Sequence, residues 1–296
     1  MNTACATIDH ATLGANGSAQ ACYLYAIGQQ RDDEVTADPH ITGIVPDTTV
    51  HEVGYRDLRA FISPVPLAQF GTEALQSNLY DTDWVRERVL AHQRVLTELF
   101  ARATILPCAF CTLYYDETRV HTLLERHYDT LAQSLQRVSG ATEWGVKIFS
   151  DRPTLNEWVA ATAPALESLR TSVERASPGA GYLLRKKLNQ AADKLADELG
   201  AAFMRECHET LAACARAVAI APVQSPQVHG RQAAMVLNGA YLVDSAQQTA
   251  FQAALSSLQT IYAPRGFEYE LTGPWPPYSF ATIDLKETTS ESAAVE

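Results

Sequence analysis

The chain has 296 residues, with 23 Lys and Arg against 34 Asp and Glu, a formal net charge of −11. Its 47% apolar content suits packed cores, and its length suits about two domains of ordinary size. The acidic balance argues against a nucleic-acid footprint, which needs clustered positive charge, and against polybasic docking on a lipid membrane.

Residues 1–20 are small, polar and without period, and are expected to form a flexible tail. They lack the basic and apolar regions of a signal peptide, so a cytoplasmic chain is expected. The first folded block is expected over 21–138. Residues 21–27 (ACYLYAI) read as a buried strand, and 40–45 and 58–62 as further strands between prolines. A long helix follows, capped by Asp81 or Thr82, with Val85, Val89, His92, Leu96 and Leu99 on its apolar face and Trp84 as its anchor. Residues 103–115 carry no charge at all and read as buried extended chain broken by Pro107. A second helix is expected from Glu117, with Val120, Leu124, His127, Leu131 and Leu135 on one side.

Ser139-Gly140 marks a boundary, and a second block is expected over 139–286. It opens with a strand at 142–149, where Trp144, Val146 and Ile148 share a face. A helical stretch at 155–175 is interrupted at Pro164. A long amphipathic helix is expected from near Tyr182, its stripe running from Leu188 through Leu195, Phe203, Cys207 and Leu211 to Cys214 and Val218. Residues 233–243 read as one or two strands around the turn-forming pair Asn238-Gly239. A helix from about Ser245, a strand at 267–271 and the segment 273–280 close the block, and 287–296 read as an acidic flexible tail. The order strand, helices, strand, helix, strand is that of a ferredoxin-like layer with a large helical insertion. Strands interleaved with helices place the chain in the α/β or α+β class.

The chemistry-bearing patterns are few. No Gly-rich phosphate loop, nucleophile elbow or metalloprotease helix is present, and no catalytic constellation is found. Gly179-Ala180-Gly181, followed by Arg185, Lys186 and Lys187, would suit an anion if its N–H groups opened a helix; a simple helix-entry turn is the plainer reading. Cys108 and Cys111 have C-x-x-C spacing but no second ligand pair, and six Cys in the whole chain fit a reducing compartment. His92 and His127, on apolar faces, read as core histidines. No cofactor or metal is expected. The most unusual stretch is Gly273-Pro274-Trp275-Pro276-Pro277-Tyr278-Ser279-Phe280. Its prolines rule out an interior ladder strand, leaving either a packed latch or a surface that presents Trp275, Tyr278 and Phe280 to a partner.

Taken together, these motifs resemble the gas vesicle protein L/F family. The resemblance runs from Tyr23-Leu24-Tyr25 through Val65-Pro66-Leu67, Asn78-Leu79 with Asp81 and Trp84, and Leu106-Pro107. It continues through Glu143-Trp144-Gly145, Gly181-Tyr182-Leu183-Leu184-Arg185-Lys186-Lys187 and Ala240-Tyr241-Leu242-Val243-Asp244 to the Pro-rich motif. Ala109-Phe110-Cys111-Thr112 stands where the family pattern has Arg-Phe-Gly-Thr, so Cys111 occupies a glycine position. The resemblance implies an α+β fold of two domains with mixed sheets and packed helices, ferredoxin-like in at least one. It implies a non-enzymatic accessory protein located at the gas vesicle. Its partners would be the hydrophobic main shell protein, kept from aggregating during assembly, and other accessory proteins. The competing reading is a small-ligand- or metal-binding protein or enzyme using Cys108, Cys111, His92 or the cations at 185–187.

Overall fold

A computed structural model describes residues 20–29 and 41–281. The tails expected at 1–20 and 287–296 lie outside the described residues, apart from Gln20. The chain divides into two compact units, one formed by residues up to Gly140 together with those from Pro276, the other by 141–275. The segment from Pro276 therefore groups with the first unit, whereas the sequence placed it in the second block.

In the first unit, β1 (Gln20–Gln29) is central and pairs with β3 (Leu58–Pro66), whose other side carries β2 (His51–Tyr55). Helices α1 (Leu67–Phe70), α2 (Thr72–Asn78) and α3 (Thr82–Phe100) follow, then β4 (Ile105–Pro107) and β5 (Leu113–Tyr114). The sheet order is β2-β3-β1-β4, with β5 also on β1. Asp81 is the cap of α3, its carboxylate accepting the N–H groups of Asp83 and Trp84. Trp84 does anchor that helix, its ring 5.4 Å from that of Phe70.

Three expectations need correction here. The strand expected at 40–45, whose first residue lies outside the described residues, is reduced to an isolated bridge between Thr42 and Thr49: Gly43 N–H donates to Thr48 C=O and Val50 N–H to Ile41 C=O, closing a turn at Pro46 and Asp47, where Asp47 has a φ of 65°. The helix from Glu117 is two, α4 (Glu117–Arg126) and α5 (Tyr128–Val138), because His127 leaves helical geometry at φ −109°, ψ 16°. The apolar spacing carries across the break, which is why one helix was expected. The uncharged run at 103–115 is two short strands joined by a turn, with Cys111 in the left-handed region at φ 62°.

The second unit begins with β6 (Ala141–Ser150) and α6 (Arg152–Thr162), then α7 (Glu167–Glu174) and α8 (Pro178–Ala212). Strand β7 (Ala217–Ile220), the short α9 (Pro226–His229), β8 (Ala234–Asp244), α10 (Gln248–Tyr262) and β9 (Phe267–Trp275) complete it. Its sheet order is β7-β8-β6-β9. Counted within the unit this is second, third, first, fourth, the ferredoxin-like order, with α6–α8 as the insertion after the first strand. The first sheet repeats the same order in β2-β3-β1-β4. Both sheets are antiparallel throughout rather than mixed, and the fold is α+β.

Helix α8 is 35 residues, about 52 Å long at the usual rise, and begins at Pro178 rather than Tyr182. It ends before Cys214, and Val218 belongs to β7, so the expected stripe overran the helix. Asn238-Gly239 makes no turn: both lie inside β8, opposite Lys147 and Val146. A Cβ on Gly239 would come within 2.8 Å of the Tyr241 ring, so glycine there serves packing along the strand. Trp144, Val146 and Ile148 are buried on one face as expected, but Glu143 on the other face is buried too, and so is Phe149, where the register shifts after Ile148.

Candidate functional site

The Pro-rich motif divides between the two units. Trp275 ends β9, an edge strand of the second unit, pairs with Glu143 and is 42% exposed. Gly273 can be nothing but glycine: its φ is 118°, and a Cβ would meet the Glu143 carbonyl oxygen at 2.9 Å. Tyr278 and Phe280 belong to the first unit. The Tyr278 hydroxyl donates to Gln93 Oε1 on α3 at 2.8 Å while its side chain stays 36% exposed, and Phe280 is half-buried. Turn bonds from Tyr278 N–H to Pro276 C=O and from Ala281 N–H to Pro277 C=O hold the segment. These residues have aromatic surface and rigid backbone, which suits contact with another chain rather than proton transfer.

A second arrangement surrounds His92. Alternate residues of β1 point the same way, so Tyr23 and Tyr25 both reach the layer under α3. The Tyr25 hydroxyl accepts the Ile44 N–H at 2.6 Å and lies 2.7 Å from Ser63 Oγ. The Tyr23 hydroxyl accepts the Cys111 N–H at 2.9 Å, leaving its proton for His92 Nδ1 at 3.0 Å. The ring then carries its proton on Nε2, and the Cys108 backbone provides its other hydrogen bond. Burial holds the His92 pKa down at about 4, partly opposed by that bond. Burial likewise pushes the Cys108 thiol up to about 12. A metal-ligating or redox Cys needs its thiolate, and burial moves Cys108 in the opposite direction. Among the described residues no group of three His, Cys, Asp or Glu could hold a metal ion.

The remaining candidates stay apart from this cluster. Gly179, Ala180 and Gly181 lie within the first turns of α8 rather than in a loop, and Arg185, Lys186 and Lys187 are exposed along the same helix. His127 marks the break between α4 and α5. Tyr182 and Leu183 of the family-like motif are exposed, because they fall off the Leu188–Leu211 stripe; following that stripe back along the helix is the sequence signal for their facing outward. The hydrogen-bonding role of Tyr23 and Tyr25 was missed, although their two-residue spacing in a buried strand was the available signal.

Residues 21–282 match the family described as gas vesicle synthesis protein GvpL/GvpF. Gas vesicle protein L of Streptomyces sp. (strain CB03234) is 31% identical over 270 residues, covering 90% of this chain and 96% of that protein. Gas vesicle protein F1 of Halobacterium salinarum is 23% identical, covering 89% of this chain and 93% of that protein. The crystal structure of gas vesicle protein GvpF from Microcystis aeruginosa has a similar fold, with a TM-score of 0.61 at 18% identity, covering 89% of this chain and 99% of that one. GvpF from Anabaena sp. PCC7120 gives a TM-score of 0.63 at the same identity and coverage. No helix among the described residues is long and apolar enough to cross a membrane. With its fold, its motifs and the match over nearly all of its length in agreement, the chain belongs to the GvpL/GvpF family of gas vesicle proteins.

Proposed function

We propose that this chain is a non-enzymatic assembly factor of the gas vesicle, which binds the hydrophobic shell protein and other accessory proteins and keeps the shell protein from aggregating before it is built in. The observation that carries the reading is the family match over residues 21–282. Exposed aromatic surface at Trp275 and Tyr278 supports it, because such side chains cover apolar partners at little conformational cost. The net charge of −11 would help keep the resulting complex in solution. Binding takes place at the vesicle under construction, inside the cell.

Co-expression of the tagged chain with the main shell protein tests this. Shell protein should co-purify and its soluble fraction should rise, and Trp275→Ala or Tyr278→Ala should reduce both while the melting temperature falls by no more than a few degrees. Shell protein that neither co-purifies nor gains solubility would remove the proposal. Full binding by both variants would keep the function and move the contact elsewhere.

A further inference from the structure

Strand β7 is an outer strand of the second sheet, and its register fixes where its backbone groups point. The Ala221 N–H donates to the Asn238 carbonyl at 2.9 Å, in step with the pairs Ala217–Leu242 and Ala219–Ala240. Hydrogen-bonded and non-hydrogen-bonded pairs alternate in an antiparallel ladder, so Val218 and Ile220 turn their N–H and C=O groups away from β8. Among the described residues no strand pairs with that side of β7.

Sheet edges are normally guarded by charge or proline. The opposite edge, β9, has both, with Glu268, Glu270 and Pro274 along it. Strand β7 reads Ala-Val-Ala-Ile and has neither. Ile220 is 55% exposed, and Val223 just beyond it is exposed too. The open edge is also sharply bounded. At one end the Arg216 N–H is already bonded to the Leu242 carbonyl; at the other, Pro222 has no N–H and its carbonyl accepts from Asn238 Nδ2.

We propose that this edge pairs with the same edge of a second copy of the chain, antiparallel about Ala219. In that register Val218 lies opposite Ile220 of the second copy, and each such pair exchanges both of its N–H···O bonds. The outward groups sit symmetrically about Ala219, so the edge is its own complement, as a two-fold interface requires. Val218 and Ile220 point to one face of the sheet, so the facing side chains are apolar pairs. The chain is strongly acidic overall, yet residues 215–223 contain no Asp or Glu. Arg216, ion-paired with Asp244, would lie opposite Pro222 of the second copy, which keeps the two arginines at opposite ends of the seam. The seam is short, and dimer formation is accordingly concentration-dependent.

Sedimentation equilibrium of the full chain over a wide concentration series is the test. The mass should rise from 32.4 kDa toward twice that value. Ile220→Pro removes an N–H that points off the sheet and spares the bonds to β8, so it should hold the chain at the monomer mass with its circular dichroism unchanged. Ile220→Lys should do the same by charging the seam. In an Ala219→Cys variant, mild oxidation should link two copies, because a non-hydrogen-bonded antiparallel pair sets its Cα atoms about 4.5 Å apart. An Ala217→Cys variant should not link. A wild-type mass of 32.4 kDa at every concentration, or a dimer that persists in both Ile220 variants, would overturn the proposal.

Discussion

The Tyr23 hydroxyl accepts the backbone N–H of Cys111, 88 residues further along the chain, at 2.9 Å. The same oxygen meets His92 Nδ1 at 3.0 Å, so one side chain of the central strand ties the turn after β4 to helix α3. Tyr25 repeats the device with the Ile44 N–H and Ser63. All of these groups are buried, and a buried donor left without its acceptor costs about 1–3 kcal/mol. Tyr23→Phe strands both the Cys111 N–H and the His92 ring, and should lower the unfolding free energy by about 2–3 kcal/mol in urea titration. A loss below about 0.5 kcal/mol would mean that the hydroxyl is not the tie described.

Cys111 gives a second prediction, in which the usual order of substitutions is inverted. In most buried positions Gly is worse than Ala, because it adds backbone entropy to the unfolded chain. At a φ of 62°, however, any side chain with a Cβ carries a strain of about 1–2 kcal/mol, which only Gly relieves. Cys111→Ala loses the buried thiol and keeps the strain, whereas Cys111→Gly loses the thiol and sheds the strain. The Gly variant should therefore be more stable than the Ala variant, with a higher urea midpoint, and Cys111→Val should be the least stable of the three. An Ala variant equal to or better than Gly would contradict the left-handed geometry.

The same residue illustrates how much of the molecule was legible beforehand. The resemblance already put Cys111 at a glycine position, and the left-handed backbone supplies the physical reason. Long periodic segments such as α3 and the two-residue alternation of β6 were legible because burial of one face dictates them. What was lost depended on partners distant in sequence. Asn238-Gly239 has the local signature of a turn, but pairing with β6 on one side and β7 on the other kept it extended. Strand β7 offers four uncharged residues with no period to detect, and β2 is scarcely longer. In the Pro-rich motif, composition pointed to Trp275, Tyr278 and Phe280. It could not tell that the chain passes from one compact unit to the other between Trp275 and Pro276.

The buried ring of His92 makes stability depend on pH in a definite direction. Its pKa falls from 6.5 to about 4 on folding, so between these values the unfolded chain binds the proton and the folded chain does not. The contribution is intact above pH 6.5 and is lost progressively as the pH falls toward 4. Integrated over that window it amounts to about 3 kcal/mol. Unfolding free energies of the wild type and His92→Gln, measured from pH 7.5 to 4, should converge by about that amount, since the variant lacks the titrating group. Parallel pH profiles would show that the ring titrates as freely in the folded chain as in the unfolded one.

Gly273 carries the last prediction, because it decides whether the Pro-rich motif is held by its backbone or by its aromatic side chains. Its φ of 118° lies outside the range open to residues with a Cβ, and the nearest obstacle is the Glu143 carbonyl oxygen at 2.9 Å, a backbone atom that cannot swing aside. Relief would require β9 to move away from β6 near the point where Trp275 pairs with Glu143. Gly273→Ala should therefore cost about 2–3 kcal/mol of stability. Trp275→Ala at the same strand end should cost less than about 1 kcal/mol, since the residue is already 42% exposed. Thermal and urea unfolding of both variants checks the order. The reverse ranking, with the Trp variant the weaker, would make Trp275 a packing residue of the second unit and remove it from the proposed contact surface.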